Sequence, residues 1–170
     1  YGDFSKIFAQ LHGKEISYNN LLDIDAAVAL IAEFEETTVA ILKHNNACGL
    51  ASRTSLTQAW LDALAADPVS AFGGIIVTNV VVDAEAAAEM DKIFFEVVIA
   101  PKYSEEALTI LKQKKNRIIL IQKEQYLPDT TSRTLLNGVL VQDRDSKTET
   151  ADDLKVVTSK SPSQQEINDM

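Results

Sequence analysis

Thr37-Thr38-Val39-Ala40-Ile41-Leu42 runs directly into Lys43-His44-Asn45-Asn46-Ala47-Cys48-Gly49. The apolar, β-branched half reads as a buried strand over residues 37–42. The polar half sets a cation, an imidazole, two amides and a thiol at the strand's carboxyl end, before a glycine suited to a sharp turn. In open α/β sheets ligands collect at the carboxyl ends of strands, so these side chains are candidates for chemistry. His44 is one of two histidines, and Cys48 is the only cysteine.

Upstream of this stretch a helix is expected from Asn20. Leu21, Ile24, Val28 and Ile31 recur at steps of three and four, Leu30 and Phe34 widen the stripe, and Ser17 or Asn19 can cap it. Residues 1–15 are mixed, with Phe4, Ile7, Phe8 and Leu11 placed to cover an edge. Downstream, a second helix starts near Ser55, whose spacing to Gln58 is that of a capping box, and it stops before Pro68. Phe72-Gly73-Gly74 predicts a tight turn into a strand over residues 74–78. Asp83 opens a third helix reaching Ile93, and residues 96–100 form a strand ended by Pro101. Ser104 caps a fourth helix, with Glu105 and Glu106 in its first turn and Lys112, Lys114 and Lys115 in its last, as the helix dipole favours. Residues 117–121 and 138–142 are further strands. Strands and helices alternate with connections too long for hairpins, which predicts an α/β fold with a mostly parallel sheet and helices on both faces.

Composition narrows the function. A net charge of −9 repels a phosphate backbone, so nucleic acid is not expected as a partner. A lone cysteine suits a reducing compartment, and no apolar run is long enough to span a membrane, so a cytoplasmic location is expected.

Lys43-His44 is the sharpest pair. A neutral imidazole can accept a proton near neutral pH, and a neighbouring ammonium attracts anionic substrate. The same residues also suit an ordinary strand end, because consecutive strand residues face opposite ways and joint action needs the pleat broken at this turn. Cys48 is a nucleophile only with a lowered pKa and a paired base; otherwise it is a small buried filler. A zinc deaminase site needs His-x-Glu and Cys-x-x-Cys, and neither is present, so no metal is expected. His12 has no partner in sequence and reads as surface. Phe72-Gly73-Gly74 could let a ligand approach the backbone, or could simply lead into a strand.

Four stretches together carry a family resemblance. They are Gly13-Lys14-Glu15-Ile16-Ser17-Tyr18-Asn19-Asn20-Leu21-Leu22-Asp23, the Lys43-to-Gly49 stretch, Asp67-Pro68-Val69-Ser70-Ala71-Phe72-Gly73-Gly74, and Glu96-Val97-Val98-Ile99-Ala100-Pro101. In this order they resemble the transformylase domain of the bifunctional AICAR transformylase/IMP cyclohydrolase family, and the likeness runs on through Asn137-Gly138-Val139-Leu140-Val141-Gln142. The resemblance implies a cytidine-deaminase-like three-layer αβα sandwich without zinc. Residues 1–145 would be its first subdomain, and residues 146–170 a connector with the truncated start of the next element.

The family's reaction passes a formyl group from 10-formyltetrahydrofolate to the 5-amino group of the AICAR nucleotide. By resemblance His44 transfers the proton, Lys43 tunes it and stabilises the formyl oxygen, and Asn20, Phe72, Gly73 and Glu96 contact the nucleotide. The parent protein is then a homodimeric enzyme of purine biosynthesis. The chain departs from the family in carrying Ala47 where proline is usual, implying a less rigid turn. It also lacks the family's Arg-Tyr-Gly-x-Asn-Pro-His-Gln and Lys-Ser-Asn-Ala stretches and the cyclohydrolase domain, so it is expected to be an inactive fragment. The competing expectation is a non-catalytic α/β scaffold serving dimerisation.

Overall fold

In the computed structural model, which describes residues 3–123, 128–145, 147 and 149–168, the chain forms two units, residues 1–126 and residues 127–170. The first begins with helix α1 (Phe4–Ile7) and strand β1 (Phe8–His12). Helix α2 (Tyr18–Ile31) follows. Ser17 caps it: its hydroxyl accepts the Asn20 N–H while the Asn20 carboxamide accepts the Ser17 N–H, a reciprocal capping box. Next come β2 (Thr38–Lys43), β3 (Asn46–Ser52), α3 (Leu56–Ala66) and α4 (Pro68–Ala71). The unit closes with β4 (Ile75–Thr78), α5 (Ala84–Met90), β5 (Val97–Ala100), α6 (Glu105–Leu111) and β6 (Ile118–Gln122). Ser55, Asp67, Asp83 and Ser104 each accept an N–H from the first turn of the helix they cap.

The sheet order is β1-β6-β5-β4-β2-β3. Strands β4, β5 and β6 run parallel, because α5 and α6 carry the chain back along the sheet between them. The expected parallel arrangement holds in this centre and fails at the flanks, where β1, β2 and β3 pair antiparallel. Phe8 and Leu11, expected to cover an edge, lie in β1, which is itself the edge strand and pairs with β6.

The stretch after Thr37 corrects the expectation of long connections. It is a two-residue hairpin: Lys43 pairs with Asn46, and His44 and Asn45 form the turn with φ of 55° and 66°. Two positive φ values suit the right-handed strand twist, and histidine and asparagine tolerate this region better than most non-glycine residues. The register slips between Ile41 and Leu42, so that Ile41 opposes Gly49 while Leu42 opposes Ala47. Cys48 is thus the extra residue of a bulge, which increases local twist. Ala47 lies in β3 rather than in the turn.

Gly49 is not the turn residue the sequence suggests. A Cβ there would lie 2.0 Å from the Ala63 carbonyl oxygen. Its missing side chain lets β3 lie directly against α3.

The core forms on both faces of the sheet. Val39, Ile41, Ile76, Val98, Ala100 and Ile119 join Trp60, Ala63, Met90 and Leu111 of α3, α5 and α6 in one cluster. The alternate residues of β2 and β4, Ala40, Leu42, Ile75 and Val77, are buried on the other face, where α2 packs on these strands with Ile24, Ala27 and Val28 buried. Helices therefore do cover both faces.

Smaller corrections have local causes. Asp67 and Pro68 end α3 but also start α4, because proline lacks an N–H that a first helical turn does not need. Helix α5 ends at Met90, three residues before the expected Ile93. Helix α6 ends at Leu111 with Lys112 as its cap, so Lys114 and Lys115 lie beyond it.

In the second unit, β7 (Thr130–Leu135) and β8 (Gly138–Asp143) form a separate two-stranded sheet. The strand expected over residues 138–142 is present but does not extend the main sheet. Val139, Leu140 and Val141 are exposed on it. A short helix, α7 (Gln164–Asn168), has Ser163 and Glu166 in reciprocal hydrogen bonds at its start. No helix among the described residues is long and apolar enough to cross a membrane.

Candidate functional site

The antiparallel pairing of β2 determines where the candidate residues meet. Leu42 pairs with Ile75, Ile75 with Val97, and Val97 with Ile118. The carboxyl end of β2 therefore stands beside the amino ends of β4, β5 and β6. Lys43 and His44, Phe72 and Gly73, and Glu96 all project from this one end of the sheet. The candidate residues thus gather at the carboxyl end of β2 but at the amino ends of the parallel strands β4, β5 and β6, the reverse of the carboxyl-end rule for those strands.

His44 is exposed at the hairpin tip, and its left-handed backbone breaks the pleat that would have sent Lys43 and His44 to opposite sides. Among the described residues its ring has no hydrogen-bonding partner. Lys43 is held: its Nζ donates to the Phe72 carbonyl oxygen at 2.7 Å. Phe72 follows α4 as its C-cap, and its half-exposed ring lies 5.4 Å, tilted, from that of Phe94. Between them Gly73 has φ +75°, and its N–H donates to the Phe94 carbonyl at 2.8 Å. The two rings and the bare glycine backbone make an apolar wall with an approachable main chain.

Glu96 immediately precedes β5, its N–H donating to Gly74 O and its carbonyl accepting from Ile118 N–H. Its side chain is fixed by two donors on one oxygen: Lys14 Nζ at 2.8 Å and Asn20 Nδ2 at 3.3 Å from Oε2. The Lys14 hydrogen bond, aided by that from Asn20 and opposed by partial burial, holds the carboxyl below the usual glutamate range. Glu96 is an ionised acceptor whose Oε1 has no partner among the described residues.

Asn20 thus completes the capping box of α2 and reaches Glu96 at once. Three residues on, Asp23 Oδ1 accepts the Asn45 N–H at 2.7 Å. Helix α2 links the Glu96 side of the site to the His44 turn.

Cys48 sits half-buried behind the hairpin, its Sγ 3.5 Å from Ile41 O. Burial, and secondarily the Asp67 carboxylate, pushes its thiol up, outweighing a backbone hydrogen bond and Lys43. That is the opposite of what a nucleophilic cysteine needs. Asp67 itself is held low, mainly by its hydrogen bonds with Ser70, with a smaller contribution from Lys43. His12, read as surface, has its Nε2 3.2 Å from Lys114 O. Among the described residues no cluster of three or more histidine, cysteine or carboxylate side chains is placed to hold a metal.

The sequence reading missed three residues here: Lys14, Asp23 and Phe94. Lys14 and Asp23 stand in the quoted family stretch, but nothing in their spacing reveals partners 82 and 22 positions away. Phe94 carried no signal apart from being aromatic.

Comparison with known proteins bears on this assembly. Three relatives are named bifunctional purine biosynthesis protein PurH. That of Bacteroides thetaiotaomicron is 63% identical over all of this chain and 34% of its own length. That of Chlorobium phaeobacteroides is 47% identical over 98% of the chain and 32% of its own length. That of Acetivibrio thermocellus is 49% identical over 95% of the chain and 32% of its own length. The chain spans about a third of the length of these relatives. The family model described as AICARFT/IMPCHase bienzyme matches residues 2–170, and the chain belongs to that family.

Proposed function

We propose that this chain supplies one side of the active site of a purine-biosynthesis formyltransferase, which passes the formyl group of 10-formyltetrahydrofolate to the 5-amino group of the AICAR nucleotide. The observation that carries the reading is the position of Lys43 and His44 at a break in the pleat, on the same sheet end as Phe72, Gly73 and Glu96.

The amine is a weak nucleophile, its lone pair delocalised into the imidazole carboxamide. Its nitrogen attacks the formyl carbon and forms the new N–C bond while His44 accepts the departing proton. The Lys43 ammonium, steadied by the Phe72 carbonyl, faces the charge that develops on the formyl oxygen. Collapse then breaks the bond from the formyl carbon to N10 of the folate, which takes up a proton and leaves as tetrahydrofolate. Glu96 accepts hydrogen bonds from the nucleotide, Asn20 orients Glu96, and Phe72 with Gly73 packs on the base. The active protein is a cytoplasmic homodimer with a cytidine-deaminase-like fold that uses no zinc, and this chain by itself lacks turnover.

The test grafts these 170 residues into the Bacteroides thetaiotaomicron relative in place of the matching third and compares wild type with His44→Ala. Removing a general base costs about 10²–10⁴-fold in transfer. A loss of that size with folding intact supports the reading. Near-normal transfer by His44→Ala would demote His44 to a structural residue and favour the scaffold role, and no transfer by the unmutated graft would overturn the substrate assignment.

A further inference from the structure

We infer that Asp23 is a positioning residue for His44, acting through the backbone of Asn45; this rests on the reading of His44 as the proton acceptor. Asp23 lies in the second turn of α2, and its Oδ1 accepts the Asn45 N–H at 2.7 Å. That is a charge-assisted hydrogen bond at the short end of its range. Asn45 and His44 are the two left-handed residues of the turn, with φ of 66° and 55°. Such a conformation persists in non-glycine residues only where the surroundings hold it.

The other hydrogen bond on these two residues, from Asn46 Nδ2 to His44 O at 3.2 Å, comes from within the hairpin and moves with it. Among the described residues, Asp23 makes the one hydrogen bond that reaches the turn from another element. The bond fixes the turn, and with it the root of the His44 side chain, against a helix that is itself anchored. Helix α2 is closed at its start by the Ser17–Asn20 capping box and buries Ile24, Ala27 and Val28.

The same helix carries Asn20, whose Nδ2 reaches Glu96. Residues three apart share a helix face. The spacing between the proton acceptor and the nucleotide-facing carboxylate is therefore set by one rigid element holding both. A proton acceptor displaced by about 1 Å can lose roughly 10²-fold in rate. Asp23 is half-buried, and alanine is the better helix former, so replacing it leaves α2 intact.

The test uses the grafted full-length protein described above. Asp23→Ala is expected to lower kcat by about 10- to 100-fold with KM changed by no more than about twofold, the split that marks misplacement rather than lost substrate binding. Asp23→Asn keeps an acceptor oxygen in place and is expected to recover kcat to within about threefold of wild type. In the His44→Ala background, Asp23→Ala should cost nothing further, because its effect passes through His44. In the 170-residue chain, Asp23→Ala should raise the hydrogen-exchange rate of the Asn45 amide.

Unchanged kcat in Asp23→Ala, a change in KM alone, or an equal loss with and without His44 would each overturn the inference while leaving the role of His44 standing. If His44→Ala itself leaves transfer intact, the functional reading fails and the inference falls with it.

Discussion

Gly49→Ala puts a number on the contact between β3 and α3 that steadies the hairpin. The added Cβ would lie 2.0 Å from the Ala63 carbonyl oxygen and 2.9 Å from its carbon. An ordinary carbon–oxygen approach is about 3.3 Å, so β3 and α3 must part by roughly 1 Å. The oxygen belongs to helix backbone and cannot swing aside, and Ala59, Trp60 and Ala63 beside it are fully buried. Overpacking of this kind costs about 1–3 kcal/mol or somewhat more. Loss of glycine's freedom in the unfolded chain offsets about 0.4–1 kcal/mol. The expected net destabilisation is about 2 kcal/mol, or roughly 6–10 °C in Tm for a unit of this size. Urea and thermal unfolding followed by circular dichroism measure it. Gly138→Ala is the control, since its Cβ would meet nothing closer than Leu135 O at 3.8 Å. Stability of Gly49→Ala equal to or above wild type would refute the close-approach account and leave the glycine without a structural reason.

Two further outcomes test the electrostatics. Lys14→Met removes the main donor to Glu96, so the carboxyl should titrate closer to the ordinary glutamate range, as read from its side-chain carbon resonance. Because the folded value lies below the unfolded one, the pair's contribution to stability is complete above the ordinary range and is lost as acid carries the pH down through the lowered value. An unshifted midpoint in the variant would show that Lys14 is not the cause. Cys48, raised by burial and by Asp67, should react slowly with iodoacetamide at neutral pH and speed up only above the ordinary thiol range. Rapid alkylation at neutral pH would contradict the burial account and restore a nucleophilic role for the thiol.

Local chemistry carried much of this protein in its sequence. Ser17, Ser55, Asp83 and Ser104 marked helix starts because a cap needs only an oxygen and the N–H groups a turn away. The β-branched runs of β2, β4, β5 and β6 announced buried strands, and the family stretches named the residues that line one end of the sheet. Strand β3 was not readable. Its Asn-Ala-Cys-Gly-Leu-Ala-Ser has little strand character of its own, its turn lacks the usual glycine, and it is a strand because β2 and α3 hold it. The direction of β2 against β4 was equally hidden, since pairing across 30 or more residues leaves no mark in local spacing. Yet that direction brings His44 to Glu96's side of the sheet. Lys14, Asp23 and Phe94 entered the site in the same way, through partners far away in sequence. Sequence determined where most helices and strands begin and end, through short-range preferences of each segment; tertiary packing alone determined which candidate residues meet, because hydrogen bonds such as Asp23 to Asn45 exist only once distant segments are folded together.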